Sequence, residues 1–339
     1  MDVELERVTY RFRQPIATAY GTLTERAVLV LRLRDEDGNA GLGEAAPLEP
    51  YDGVSLEATR DALLPALAEL QAGAGKHEAA WAGETGLPQA DAALDVALSD
   101  LGARADGRAG IELEERAREV PVNATIAATD RAAAAREAAA AAEHGFGTVK
   151  LKVGVGDDTG RVAAVRAAIG PDVRIRLDAN GAWTIDQAVV ALRSLAASRI
   201  ELCEEPVHGI AALAEVRGRL DGEVAIAMDE SGGNDEAVAS GACDYVCLKV
   251  AASGGVTRLV DLANRARAHG SQPYVASTYD GPIGIAAGLH AAAALGPDIP
   301  ACGLATLPLF ENVDDPFPAR DGRIEVPRGP GLGVTWPVG

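Results

Sequence analysis

The sequence predicts an N-terminal α+β domain followed by a TIM-like (β/α)7β barrel, with a C-terminal tail that returns to the first domain. Three observations predict this fold: strands joined by turns in the first third, strict strand–helix alternation after residue 118, and a tail with two turns and one short strand. The 339 residues are enough for both units. We therefore expect the first domain at 1–118, the barrel at 119–306 and the tail at 307–339.

The first domain begins with strands and continues with helices. Residues 5–12 and 26–38 alternate between apolar and polar side chains, and Asp37-Gly38 predicts a hairpin turn. Helices are predicted at 55–72 and 88–107, where apolar residues recur at helical spacing. An antiparallel sheet followed by helices is typical of the α+β class.

The second unit consists of short apolar strands separated by Ala-rich helical segments. The helix at 129–145 shows the pattern, because it begins with a Thr/Asp cap and ends at a glycine. Eight such strands over roughly 190 residues imply a closed parallel barrel whose last helix is reduced or missing, with a doubly wound open sheet as the alternative. The eight predicted strands are 121–126, 147–153, 173–178, 199–204, 223–229, 245–249, 273–278 and 301–306.

Charge and composition exclude some classes of partner. The chain has 31 basic and 50 acidic residues and a net charge of −19, so no general affinity for nucleic acid or an anionic membrane is expected. The first residues carry three acids and form no apolar leader, and no apolar run reaches the length of a membrane span. The four cysteines form no CxxC pair, which favours a reducing cytoplasm. The sequence leaves open whether the chain forms a homo-oligomer.

Lysine is rare in this sequence and is therefore informative. The chain has only four lysines, so 27 of its 31 basic residues are arginines. Three of the four, Lys150, Lys152 and Lys249, lie within short apolar runs, where a charged side chain is costly unless it has a function. A buried ammonium can lose its proton, whereas a guanidinium effectively cannot. We therefore expect the chemistry around these three lysines.

Five polar residues stand at the C-terminal ends of five consecutive predicted strands. Lys152 ends the second strand, and gaps of 26, 26, 25 and 20 residues lead to the others. In a barrel this spacing brings all five to one rim, where barrel enzymes place their active sites. Lys150, two residues before Lys152, shares its inward face. The other four rim residues are Asp178, Glu204, Asp229 and Lys249.

Three rim residues are carboxylates on adjacent strands, and they would repel one another unless a cation lay among them. Oxygen ligands without His or Cys favour a hard divalent ion, Mg²⁺ before Mn²⁺. Three carboxylates, one such ion and two flanking lysines sum to a charge of about +1, which suits a small-molecule carboxylate substrate. The ion and the second lysine are expected to lower the pKa of each lysine, so that it can act as a base near neutrality.

Each of these residues has an ordinary structural explanation when it is taken singly. An isolated Asp at a strand end is usually a helix cap, and an isolated rim lysine is usually solvated. Five such residues on five consecutive strands argue against that explanation. Glu205 and Glu230 directly follow ligand candidates, so we expect them to support the site without binding the metal. Asn180, two residues after Asp178, is expected in the site.

The motifs that carry the rim are KLK at 150–152, DAN at 178–180, EEP at 204–206, DES at 229–231 and LKV at 248–250. Together they resemble the signature of the enolase superfamily, in its muconate-lactonizing subgroup. The resemblance runs the length of the chain and includes GEAAPL at 43–48 and a GPGLG tail. Within the superfamily, VNATIAA at 122–128, STYDGPIGIAAGL at 277–289 and ACGLATL at 301–307 are most similar to o-succinylbenzoate synthases of the actinobacterial type.

The resemblance implies roles that agree with the rim. Asp178, Glu204 and Asp229 would hold Mg²⁺, which binds the substrate carboxylate. Lys152 would remove the proton α to that carboxylate, and Lys249 would stabilise the enolate from the other side. In a synthase, loss of the β-hydroxide then gives o-succinylbenzoate, an intermediate of menaquinone synthesis.

The resemblance also makes the N-terminal domain a capping domain. Its loops at 15–26 and 47–53 would close over the substrate and set its identity. Asp280 stands where a glutamate is expected after the seventh strand, and the shorter side chain would alter the support of Lys249 or of the substrate tail. The residues expected to contact or support the substrate are Lys150, Asn180, Glu230, Ser277, Asp280, Tyr20 and Tyr51.

Several activities share this chemistry and stay open. The capping loops suit an N-acylamino-acid racemase or a dipeptide epimerase equally well, and a muconate cycloisomerase belongs to the same subgroup. No Asp-x-Asp stands near the eighth strand, where a dipeptide epimerase is expected to hold the dipeptide amine. Two alternatives lie outside this chemistry: a Schiff-base aldolase with Lys249 as its nucleophile, and a carboxylate-binding protein without turnover.

Overall fold

The computed structural model describes residues 1–18, 21–72, 85–110, 117–154 and 156–336. The strands in these ranges are β1 Asp2–Thr18, β2 Gly21–Arg34, β3 Ala40–Ala45, β4 Glu119–Pro121, β5 Ala124–Ile126, β6 Thr148–Lys152, β7 Arg174–Asp178, β8 Ile200–Glu204, β9 Ala225–Met228, β10 Tyr245–Leu248, β11 Gln272–Val275 and β12 Arg323–Glu325. The α-helices are α1 Glu49–Asp52, α2 Leu56–Gln71, α3 Pro88–Ala105, α4 Arg131–Glu143, α5 Asp158–Ile169, α6 Ile185–Leu195, α7 Ile210–Leu220, α8 Asp235–Ala239, α9 Val250–Ser253, α10 Val256–Ala268 and α11 Pro282–Ala294.

An antiparallel sheet in the order β1-β2-β3 forms the base of the capping domain. β1 is longer than the predicted strand at 5–12, because it pairs with β2 along almost its whole length. Its register shifts between Arg11 and Ile16, an irregularity that bends the two-stranded ribbon. The predicted turn before β3 is present, with Gly38 at a φ of 88°, a conformation that glycine adopts without strain.

Helix α3 packs directly against β3, because β3 carries glycines where the two elements meet. A Cβ on Gly41 would lie 2.1 Å from the carbonyl oxygen of Ala97, and one on Gly43 would lie 2.0 Å from the carbonyl oxygen of Ala93. Any residue other than glycine would push the helix off the sheet. These two glycines therefore set the distance between α3 and the sheet of the capping domain.

The second unit is a parallel sheet whose strands follow one another in chain order from β5 to β11. The predicted eighth strand at 301–306 is reduced to two parallel bridges. Cys302 pairs with Val122 beside β5, and Gly303 pairs with Ala276 beside β11. The bridges join the two edges of the sheet into a barrel, so the predicted fold class is confirmed and the open doubly wound sheet is wrong.

The C-terminal tail contacts both units. Strand β12 pairs antiparallel with β4, the strand that leads into the barrel. Farther along, the N–H of Leu332 donates to Asp100 Oδ1 on α3 at 2.7 Å. Asp100 is fully buried, and its other oxygen accepts from the N–H of Leu42 on β3 at 2.9 Å. A residue of the tail thus supplies a hydrogen bond inside the capping domain.

Two expectations from composition can be compared with the structure. Across the described ranges, no helix combines the length and the apolarity that crossing a bilayer requires. Cys203, Cys243, Cys247 and Cys302 are buried and free of disulfides. Their thiols pack as small apolar groups within the barrel.

A buried carboxyl group lies where the capping domain meets the barrel. Glu44, on β3, is 4% exposed, and its Oε1 accepts a hydrogen bond from the N–H of Gly281 at 2.7 Å. Gly281 is the N-cap residue of α11, so a side chain of the capping domain caps a barrel helix. Burial, together with the nearby carboxylate of Asp280, raises the pKa of Glu44 to about 8.

The stability of the protein is expected to depend on the proton of Glu44. The folded chain keeps this proton up to about pH 8, whereas the unfolded chain releases it near the ordinary pKa of 4.5. Because the folded state keeps this proton in that window, the contribution of Glu44 to the free energy of unfolding should fall as the pH rises, by at most about 1.4 kcal/mol per pH unit. Glu44→Gln should flatten this slope in urea unfolding measured between those two pH values. An identical slope in variant and wild type would contradict the assignment.

Candidate active site

The ends of five barrel strands bring five predicted residues to one rim. Lys152, Asp178 and Glu204 are the last residues of β6, β7 and β8, and Asp229 and Lys249 directly follow β9 and β10. In the sheet register Lys152 lies opposite Asp178, which lies opposite Glu204. The three carboxylates are between 1% and 7% exposed, so their charges require cationic partners.

The two lysines of β6 supply part of that positive charge. Lys152 Nζ donates to Asp178 Oδ2 at 2.7 Å and to Asn180 Oδ1 at 2.6 Å. Lys150 Nζ lies 2.8 Å from Glu204 Oε2 and 3.1 Å from Asp178 Oδ2. Lys150 is therefore a third ammonium in contact with the rim carboxylates. The charge sum made from the sequence counted only the two flanking lysines.

Lys249 lies on the other side of the carboxylates, in contact with a residue of the capping domain. Its Nζ forms an ion pair with Asp229 Oδ1 and donates to Tyr51 Oη at 2.7 Å. The Tyr51 hydroxyl donates to the same Asp229 oxygen at 3.0 Å, and its ring centre lies 4.5 Å from Lys249 Nζ. Because Tyr51 belongs to α1, the predicted capping loop at 47–53 reaches the rim.

The ion pairs set the protonation states of the rim. Burial alone would raise the pKa of Asp178, but Lys152 and Lys150 hold it below its ordinary value. Burial would lower the pKa of Lys152 and of Lys249, but the carboxylates of Asp178 and Asp229 outweigh burial and raise both. The expectation of lowered lysine pKa values depends on a divalent ion among the carboxylates, and it stays a prediction.

Two further acids lie directly behind the rim. Glu205 is fully buried, and its carboxylate accepts from the N–H of Asp229 at 2.8 Å and from the hydroxyl of Ser231. Glu230 Oε1 accepts from Asn180 Nδ2 at 2.8 Å. Burial raises the pKa of each of these two acids to about 7. They orient Asp229 and Asn180 from behind rather than facing solvent.

A pocket opens over the rim, and residues of both units form its walls. The predicted loops at 15–26 and 47–53 contribute to the wall, which places the capping domain over the rim lysines. Apolar and hydroxyl side chains therefore surround the charged floor of the pocket. The wall residues of the capping domain are Thr18, Leu23, Leu48, Pro50 and Tyr51.

The remaining predicted residues fall in three different places. Ser277 lines the pocket, where its hydroxyl lies 3.1 Å from that of Thr306. Asp280 is 3% exposed, and its Oδ1 accepts from the N–H and the hydroxyl of Thr278 at 3.0 and 2.8 Å. Asp280 is not part of the pocket wall formed by the described residues. Tyr20 lies outside the described residues.

Sequence reasoning did not single out five hydroxyl groups that the structure places in the pocket wall, those of Thr18, Thr125, Thr278, Tyr279 and Thr306. One of them carried a usable signal. Thr306 ends the predicted eighth strand, so the strand-end rule applied to all eight strands would have found it, whereas Thr125 lies one residue before the end of the first barrel strand. Tyr279 lies in an irregular loop after β11, and no periodic pattern points to it.

The donor chemistry of the rim fits a hard divalent ion. Within the described ranges, no three His, Cys, Asp or Glu side chains are gathered closely enough to hold a metal ion. Instead, the oxygens of Asp178 and Glu204 converge on the ammonium of Lys150, so the two buried carboxylates already share one cation. Asp229 would add carboxylate oxygens from the next strand, and oxygen-only ligand sets are the ones that Mg²⁺ prefers.

Two family models match the chain. One, described as enolase C-terminal domain-like, matches residues 133–337, which is more than half of the chain. The chain belongs to the enolase superfamily. A second model, the mandelate racemase / muconate lactonizing enzyme N-terminal domain, matches residues 1–113. The family resemblance carried by the five motifs is thereby confirmed.

Two curated relatives point to different activities within the superfamily. The o-succinylbenzoate synthase of Thermobifida fusca is 41% identical over 221 residues, which is 62% of this chain and 67% of the relative. The chain spans 64–67% of the length of the synthases that it matches. The N-succinyl-L-Arg/Lys racemase of Bacillus cereus is 28% identical over 305 residues, which is 86% of this chain and 83% of the relative. Relatives of this kind show an enzyme of the lyase or isomerase type.

Solved structures share the whole architecture. The crystal structure of the Bacillus cereus racemase has a TM-score of 0.88 and 25% identity, covering 98% of this chain and 94% of its own. A dipeptide epimerase of Enterococcus faecalis, complexed with Mg and the dipeptide L-Leu-L-Tyr, has a TM-score of 0.85 and 26% identity, covering 98% of each chain. Capping domain and barrel are therefore shared with superfamily enzymes, one of them crystallised with Mg.

Proposed function

We propose that the chain uses Mg²⁺ and a lysine base to remove the proton α to a substrate carboxylate, in the dehydration that forms o-succinylbenzoate. The observation that carries this proposal is the rim, where lysines of β6 and β10 flank three buried carboxylates at the ends of β7, β8 and β9. The 41% identity to o-succinylbenzoate synthases supports the choice of product. The proposal makes the protein a cytoplasmic enzyme of menaquinone synthesis.

Lys152 and Lys249 would act on opposite sides of the substrate. Lys152, in its neutral form, takes the α-proton, and its hydrogen bonds to Asp178 and Asn180 fix the position of its Nζ at the pocket floor. Lys249, held by Tyr51, stabilises the negative charge of the enolate. The enolate electrons then expel the β-hydroxyl as hydroxide, which completes the dehydration.

Asp178, Glu204 and Asp229 would hold Mg²⁺. When bound, Mg²⁺ neutralises the charge that develops on the substrate carboxylate as the α-proton leaves. The chain orients the ligands from behind: Lys150 contacts Asp178 and Glu204, and Glu205 accepts a hydrogen bond from the backbone of Asp229. These supporting contacts hold the three carboxylates in place at the ends of their strands.

A second candidate is racemisation of N-acylamino acids. The Bacillus cereus racemase matches 86% of this chain in sequence and 98% in structure, more of it than the synthases match. In that reaction Lys249 would return a proton to the face opposite Lys152. Epimerisation of dipeptides has less support, because the described wall near the eighth strand presents Gly303 and Thr306 rather than an acid for the dipeptide amine.

Proton NMR in D₂O with Mg²⁺ tests the proposal directly. The purified protein is offered the cyclohexadiene precursor of o-succinylbenzoate, and in parallel a panel of N-acylamino acids and dipeptides. Conversion of the precursor to an aromatic product is the expected result. If α-protons exchange in N-acylamino acids but the precursor is not converted, the protein is a racemase and the proposed synthase activity is wrong. If no substrate reacts although Mg²⁺ is shown to be bound, both the synthase and the racemase are rejected.

A further inference from the structure

A buried guanidinium connects the capping domain to the barrel beside the pocket. Arg26, on β2, is 3% exposed. Within the capping domain its guanidinium donates to the carbonyl oxygens of Ala27, Pro47 and Ala46 at 2.9, 2.5 and 2.6 Å. On the barrel side it donates to the carbonyl oxygen of Thr278 at 2.9 Å. Four backbone acceptors from two domains therefore meet on one side chain.

The same barrel loop has a second attachment three residues later. Glu44 Oε1 accepts from the N–H of Gly281, and a Cβ on Gly281 would lie 2.4 Å from Tyr10 Oη and 2.6 Å from Glu44 Oε2. Only glycine allows this close approach to the capping domain. Arg26, Glu44 and the loop at 277–281 are called the interdomain clasp below.

Tyr279 lies between the two attachments in a strained conformation. Its φ is 59°, in the left-handed region that a non-glycine residue adopts only at an energetic cost, so the surroundings must hold it there. Its side chain lines the pocket, and its ring packs edge-on against Phe12 of the capping domain at 5.3 Å. Capping-domain side chains therefore hold Tyr279 from three directions. Arg26 binds the residue before it, Glu44 binds Gly281 after it, and Phe12 packs against its ring.

The charge of the clasp explains why arginine is suited to this position. Burial lowers the pKa of the Arg26 guanidinium, and the nearby carboxylate of Asp280 opposes this effect and favours its charge. The planar guanidinium has five N–H donors in a fixed arrangement, so it can serve several carbonyl groups at once. A lysine ammonium has three donors on one atom and cannot span both domains in the same way.

We propose that Arg26 is a positioning residue, which holds the loop after β11 against the capping domain and so fixes Tyr279 in the pocket wall. Arg26 contacts none of the rim lysines or carboxylates through the hydrogen bonds of the described structure. Its effect on the reaction therefore passes through Tyr279 and concerns substrate binding. The kinetic part of this inference rests on the proposed function, whereas its structural part does not.

Hydrogen exchange measured by mass spectrometry tests the structural part without substrate or metal. In Arg26→Met, amide exchange in peptides covering 277–281 should accelerate at least about tenfold, because the loop loses its attachment at Thr278. Arg32→Met is the matched control, since Arg32 lies on the same strand and pairs with exposed Glu4. Unchanged exchange in the loop, or an equal acceleration throughout the capping domain, would overturn the proposal. If Arg26→Met does not fold, Arg26→Lys replaces it with the same expectation.

Kinetics on the substrate that the wild type converts test the second part. Arg26→Met should raise KM about tenfold and leave kcat within about threefold, because binding contacts are lost while the rim is intact. Tyr279→Gly, which relieves the strain, should raise KM to a similar extent. The KM of the double variant should be no higher than that of either single variant, because both substitutions disrupt the same interaction. Additive effects on KM would overturn the link through Tyr279, and an inactive wild type would reject the proposed function but leave the exchange result valid.

Discussion

Lys152→Ala is expected to lower turnover by about 10²–10⁴-fold while the protein stays folded. Lys152 is the group that would take the α-proton, and removal of a general base typically costs a factor of this size. The loss of its ion pair with Asp178 leaves Lys150 as a partner of the same carboxylate at 3.1 Å, so the fold should tolerate the change. The measurement is kcat on the substrate found by NMR, with thermal unfolding as the check on folding.

A charge-preserving variant separates proton transfer from electrostatics at this position. Lys152→Arg keeps a cation beside Asp178, but a guanidinium cannot lose its proton. It should therefore be as inactive as Lys152→Ala. Activity near the wild-type level in either folded variant would exclude Lys152 as the base. Arg193→Ala, at an exposed surface pair with Glu223, is the control and should leave turnover unchanged.

Removal of divalent ions should abolish turnover, and added Mg²⁺ should restore it. Asp178, Glu204 and Asp229 are buried on three adjacent strands, and without one of them the remaining ligands hold a divalent ion more weakly. Glu204→Gln should lower the affinity for Mg²⁺ or Mn²⁺ by at least about tenfold, which isothermal titration calorimetry measures without any substrate. Full turnover in the presence of a chelator would contradict a metal-dependent reaction.

The matched control for the metal ligand is Glu223→Gln, a change of the same chemistry at an exposed position. It should leave the affinity for divalent ions as in the wild type. If both variants bind the ion equally well, Glu204 is not a ligand. If Glu204→Gln fails to bind but turnover continues, the ion is structural rather than catalytic.

The barrel and its charged rim were predictable because they obey local periodic rules. Each strand is a short apolar run, and parallel strands present their C-terminal ends at one rim, so regular gaps were enough to group Lys152 with Lys249. The eighth strand was overestimated: its segment is apolar, but only Cys302 and Gly303 pair with neighbours. Its apolar composition reflects burial rather than strand length.

The contacts between the units were not predictable from the sequence in the same way. The hydrogen bond from Arg26 to Thr278 joins residues 252 positions apart, and no local period links them. Arg26 is one of 27 arginines, so its residue type gave no indication of a special role. Lysine is rare in the chain, and this rarity indicated the rim residues. Tyr51 reaches Lys249 across 198 positions, and only the family resemblance placed its loop over the rim.

The hydrogen bond between Leu332 and Asp100 has a consequence for how the polypeptide acquires its shape on the ribosome. Asp100 is fully buried, and its Oδ1, which also accepts from Arg104 Nε, takes a backbone N–H from a residue 232 positions later. The domain that is translated first therefore lacks one of its buried hydrogen bonds until the barrel has been synthesised. Biosynthesis makes the two domains interdependent, and a ribosome that stalls before residue 332 leaves the earliest part of the product incompletely packed.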